Sequence, residues 1–159
     1  MSGISHRYRN YRYKRQYPMK TDALISIKGL QQVDNPDTDE ISLTTEGRYY
    51  EKNGTYYLMY EESEVTGFAD TRTTVKVTPS AVTVTRAGKY PSMMTFEKGQ
   101  RHMSLYETDY GPLTICIATK NVDWSLDEKG GSINVSYDIE VQHAHMSTNS
   151  LCIEVKTVN

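Results

Sequence analysis

Five residues able to do chemistry crowd into one short stretch: Glu97, Arg101, His102, Ser104 and Tyr106. An acid, a cation, an imidazole and two hydroxyls can move protons, or can hold an anion in place. Ser104 stands two residues from His102, so in a strand both share one face. A nucleophilic serine also needs a strained elbow and a carboxylate that orients its histidine, and neither is identifiable here. The stretch argues for binding rather than hydrolysis. His143 and His145 also alternate, which can turn two imidazoles to one side, but no third metal ligand accompanies them. There is no glycine-rich phosphate loop, since Gly130-Gly131 reads as a hairpin turn. No cofactor, no metal and no catalytic set are expected.

Whatever these side chains do depends on how their strand is held. Met94–Phe96 reads as one strand, Lys98-Gly99 as a turn, and Arg101–Tyr106 as a second strand. Two registers are open. With a two- or four-residue connection Phe96 opposes Arg101, and Met94, Phe96, Met103 and Leu105 form the inner face. With the three-residue loop Lys98-Gly99-Gln100, Glu97 opposes Arg101, and Met94 and Phe96 share a face with His102, Ser104 and Tyr106. A slip of one residue exchanges the two faces. The second register is slightly favoured, because it pairs Glu97 with Arg101 and because a barrel lumen can be lined by polar groups.

The remaining chain supplies strands to surround this hairpin. From Ala23 the pattern has period two: Ala23, Ile25 and Ile27 alternate with Ser26 and Lys28. Asp34-Asn-Pro-Asp37 is a turn cluster. Ile41, Leu43, Thr45, Gly47 and Tyr49 share a face. Asn53-Gly54 then demands a type I′ hairpin. That turn places Lys52 opposite Thr55, Tyr50 opposite Tyr57, Tyr49 opposite Leu58 and Gly47 opposite Tyr60. Ile41, Leu43, Leu58, Tyr49, Tyr56, Tyr60 and Glu62 therefore point inward. Thr73, Val75 and Val77 follow, then Val82, Val84 and Arg86, each trio on one face. Leu113, Ile115 and Ile117 start another strand, Ile133 to Val141 alternate cleanly, and Leu151, Ile153 and Val155 close the pattern. The count is about ten strands with no helix of normal length, joined by short connections. The expected fold is all-β: an up-and-down meander closed into a barrel, which removes free sheet edges.

Several segments stand in a fixed order: Gly47-Arg-Tyr-Tyr-Glu-Lys-Asn-Gly54, Tyr57-Leu-Met-Tyr-Glu-Glu62, Thr74-Val-Lys-Val77, Phe96-Glu97 with Gly99, Tyr106 with Tyr110-Gly111, and Gly131 through Tyr137. Together they resemble the YwiB-like family of uncharacterised bacterial proteins, over roughly residues 22–158. The resemblance implies a closed, lipocalin-like or calycin-like barrel in the cytosol of a bacterium of Gram-positive lineage. It implies no activity.

Charge and cysteine usage narrow the function classes. The formal net charge is −2. Residues 1–20 nevertheless hold six of the 18 Lys and Arg residues and no acid, leaving 12 cations against 20 carboxylates for the body. Such a body offers no nucleic-acid surface. Tyr8, Tyr11, Tyr13 and Tyr17 interleave with the basic residues, a pattern that can stack on single-stranded nucleic acid, although a solvated, disordered tail is the favoured reading of 1–20. Met19 would serve as a natural start, and residues 21–159 read as one barrel domain. No apolar run spans a membrane, and the basic leader lacks the apolar stretch of a secretory signal, which argues for the cytoplasm. Cys116 and Cys152 read as reduced, half-buried thiols.

The functional expectation is a barrel that holds a small anionic or amphipathic molecule in its lumen. Tyr49, Tyr60, Glu62, Arg86, Glu97, Arg101, His102 and Tyr106 are the candidate lining, with Arg86 or Arg101 as the charged anchor. The alternative is an interaction module with a filled lumen, working through the outward row Tyr50, Tyr57 and Met59. A third reading is nucleic-acid contact through the basic leader.

Overall fold

The computed structural model describes residues 21–33, 38–62, 70–89 and 91–158. The basic leader and the Asp34–Asp37 turn cluster lie outside them.

Alternating apolar and polar residues build ten strands among the described residues. They are β1 (Thr21–Gln32), β2 (Thr38–Lys52), β3 (Thr55–Glu61), β4 (Thr71–Val77), β5 (Val82–Gly88), β6 (Ser92–Phe96), β7 (Arg101–Thr108), β8 (Gly111–Asp127), β9 (Gly130–Val141) and β10 (Ala144–Thr157). In β4, Thr71, Thr73, Val75 and Val77 are buried while Arg72 and Lys76 are exposed. That is the two-residue period of a half-buried strand.

All strand pairs are antiparallel, in the order β6-β5-β4-β3-β2-β1-β10-β9-β8-β7. The first and last strands pair in the middle of the sheet, with Ile25 opposite Val155 and Ile27 opposite Ile153. The sheet curls until β6 meets β7, giving a nearly closed barrel. Asn53 and Gly54 take φ of 54° and 84°, as the type I′ turn requires. The β2–β3 ladder carries the four expected pairs: Lys52–Thr55, Tyr50–Tyr57, Tyr49–Leu58 and Gly47–Tyr60.

Two expectations for the central hairpin need correction. β6 and β7 are not joined by a backbone ladder; they are the two ends of the sheet. The turn between them closes on itself through Gln100 N–H donating to Glu97 O at 2.9 Å. Beyond that turn Thr119 N–H bonds Gln100 O, so the β7–β8 pairing continues into the turn while the β6 side does not. Nothing then holds Arg101 opposite Glu97. Arg101 instead reaches across β8 to Glu140 on β9, and Glu97 Oε1 lies 3.0 Å from His102 Nε2. The facing of the strands nonetheless follows the favoured register. Met94, Phe96 and Ser104 are buried, and Met103 and Leu105 are exposed.

The core fills one half of the barrel. Ile25, Leu58, Val77, Val82, Phe96, Ile117 and Ile133 are almost wholly buried. Burying each stabilises the fold by roughly 1.5–3 kcal/mol. Aromatic rings pack with them: Phe96 on Tyr137 with centroids 4.6 Å apart, and Tyr56 on Trp124 at 5.8 Å. Ile41 departs from expectation. It has inward parity, yet it is 45% exposed, because the opposite half of the barrel is open.

Candidate functional site

The open half holds a cavity of about 210 Å³. Exposure distinguishes its mouth from its floor. Gln31, Asp39 and Ile41 are exposed at the mouth, whereas Tyr60 and Glu62 are buried at the floor. Ile27, Leu43, Val84, Leu151 and Ile153 form apolar walls between them.

Strand register positions the floor. Reading across the sheet, Ala23 pairs with Gly47, Gly47 with Tyr60, Tyr60 with Thr73, Thr73 with Arg86, and Arg86 with Ser92. The row begins with two small residues, and this leaves room for the Tyr60 ring. A Cβ on Gly47 would strike the Met59 carbonyl and come within 2.6 Å of Ile25 Cδ1. Glu62 follows the end of β3 and is held there by its N–H donating to Thr71 O at 2.8 Å. Thr73 Oγ1 donates to Glu62 Oε1 at 2.5 Å. Arg86 Nε lies 3.7 Å from the same oxygen, with the two side chains 18% and 1% exposed. This is an internal ion pair, the arrangement that allows two charges inside a barrel.

The same surroundings act on the phenols. Burial pushes the Tyr60 hydroxyl above its ordinary pKa, and the Glu62 charge adds to this while Arg86 opposes it. Tyr137 is pushed up to about 12, again mainly by burial, with Arg86 opposing. Both phenols therefore stay neutral at physiological pH; Tyr60 is hydrogen-bonded to Glu62, while the Tyr137 hydroxyl can donate to a guest. The site presents a paired cation and anion, two neutral phenols and the Asn149 amide, all below apolar walls. It can take up a molecule with an apolar body and a polar head. Among the described residues, no group of three His, Cys, Asp or Glu side chains could hold a metal ion.

Of the eight residues proposed from sequence, Tyr60, Glu62 and Arg86 line this cavity. Tyr106 packs against the core, close enough to Tyr137 to influence its ionisation. Tyr49 lies outside the cavity, its hydroxyl donating to Asp127 O at 2.7 Å. Glu97 and His102 pair with each other beside the β6–β7 turn. Arg101 is on the outer surface with Glu140, whose carboxyl its hydrogen bond holds below the usual carboxylate range. Tyr137 and Asn149 were missed. Each continues an inward alternation, Ile133-Val135-Tyr137 and Asn149-Leu151-Ile153, so parity alone could have found them.

The pattern of a domain of unknown function, DUF1934, matches residues 25–153. The chain belongs to the DUF1934 family. A relative in Bacillus subtilis (strain 168), described as the uncharacterized β-barrel protein YwiB, is 32% identical over 133 residues, covering 81% of this chain and 92% of that protein. The crystal structure of YwiB from the same organism superposes with a TM-score of 0.80 at 25% identity, over 92% of this chain and 99% of the other. As a DUF1934 member the chain is a β-barrel protein, and the family description assigns it no activity.

Proposed function

We propose that this protein is a binding barrel that takes a small amphipathic or anionic molecule into its open end. One observation carries the reading: a cavity of about 210 Å³ with apolar walls ends on the half-buried Arg86 paired with the buried Glu62. Ligand sites commonly combine an apolar lining with a few placed polar groups. Arg86 supplies the anchor for an anionic head, and Tyr137 and Asn149 supply hydrogen bonds. Glu62 shares the guanidinium, which favours a head of low charge, such as a single carboxylate or a phosphate monoester. The cytoplasm remains our assignment of compartment. Among the described residues no helix is long and apolar enough to cross a membrane.

Thermal melting tests the proposal. Medium-chain carboxylates and alkyl phosphates should raise the melting temperature of the wild type in a saturable way. The shift should vanish in Leu43→Trp, which fills the lumen from its wall. No shift with either class, or an equal shift in the filled variant, would remove the support for a lumen site.

A further inference from the structure

The outer face of β7 carries four side chains at every second position: Arg101, Met103, Leu105 and Glu107. Met103 is 69% exposed and Leu105 56%. Met93, on the neighbouring β6, is 59% exposed. Ser104 Oγ donates to Met93 O at 2.5 Å, which holds β6 against β7. The three apolar side chains therefore sit side by side across the seam. Single exposed apolar residues are ordinary, but a contiguous set marks a contact surface. Methionine suits such a surface, because its flexible thioether adapts to the facing side chains.

The charges identify the occupant. Along β7 the outward order is cation, apolar, apolar, anion. The midpoint between Arg101 and Glu107 is residue 104, and so is the midpoint between Met103 and Leu105. A two-fold axis running across the strands at Ser104, between two facing copies, satisfies both pairs at once. It sets Arg101 against Glu107 of the second copy, in duplicate, and Met103 against Leu105 of the second copy. An axis along the strands would instead set Arg101 against Arg101. The surface is self-complementary about the axis that crosses the strands, and such a two-fold gives an isologous contact. Arg101 already bonds Glu140 on its own chain. A guanidinium has five donors, so it can serve both carboxylates.

We infer that the β6–β7 outer face is the contact surface of a symmetric dimer of this chain. The contact lies on the outside of the barrel, so it leaves the cavity mouth open. Sedimentation velocity of the full chain over a wide concentration range tests it. The wild type should move toward twice the mass of one chain as concentration rises. Met103→Lys with Leu105→Lys should remain at one mass, as should Met93→Lys, with circular dichroism showing the fold intact. Glu107→Arg should weaken the dimer, because it sets two guanidinium groups against each other across the two-fold axis. A wild type that stays at one mass throughout would overturn the inference. So would a dimer indifferent to the lysine variants or to Glu107→Arg.

Discussion

Arg86 and Glu62 are the residues on which the interior chemistry turns. Each makes the other tolerable in the barrel, so removing one should cost more than removing both. Glu62→Ala should destabilise by about 3 kcal/mol, toward the lower end for a broken internal pair because Arg86 keeps some solvent. Glu62→Gln combined with Arg86→Met should be less destabilised than Glu62→Ala. Urea midpoints of the three proteins check the order. Tyr137 makes a second prediction. Its pKa is raised to about 12 by burial, above its unfolded value of about 10. A raised value means that the folded state keeps its proton longer than the unfolded state. Stability from this group is thus complete below pH of about 10 and is lost as pH rises toward 12. Urea unfolding across that alkaline range should show the decline, and Tyr137→Phe should lessen it. Residue partners at this scale were only partly legible in the sequence. Glu62 and Arg86 could be placed inside by parity, but Arg101 and its partner Glu140 are 39 positions apart, and no local signal joins them.

At the scale of elements, the seam between β6 and β7 is the weak line of the barrel. Elsewhere each strand has a laddered neighbour on both sides; here a side-chain hydroxyl, Ser104 Oγ, bonds the Met93 carbonyl instead. Local opening should begin where backbone pairing is thinnest. Amide exchange should therefore be faster in Ser92–Phe96 and Arg101–Thr108 than in Ala23–Lys28 and Leu151–Lys156. Ser104→Ala should cost about 1 kcal/mol and speed exchange selectively at the seam. Uniform exchange rates across the barrel would count against this picture. The sequence announced the β2–β3 register because Asn53-Gly54 admits one turn type. It did not announce the seam, because Lys98-Gly99 marks a turn without specifying whether the strands it joins will ladder. The end of the alternation at Val141 marks the β9–β10 turn, but Gln142 and His143 adopt φ of 51° and 68° without a glycine to fix its type.

The whole molecule is a barrel divided into a filled half and an open half. Period-two alternation made the all-β meander legible from Ala23 to Val155, since a sheet with one apolar face this long must curl to bury it. The division into halves was not legible. It depends on where along each strand the large side chains run out, as at exposed Ile41 on β2 and buried Asn149 on β10. Nuclear magnetic resonance titration of the labelled protein with a medium-chain carboxylate tests the central claim most directly. The account predicts saturable shifts confined to the amides of Ile27, Leu43, Val84, Tyr137 and Leu151, with Val77, Ile117 and Leu126 in the filled half unmoved. Shifts that never saturate, or that map to the outer faces instead of the lumen, would contradict it.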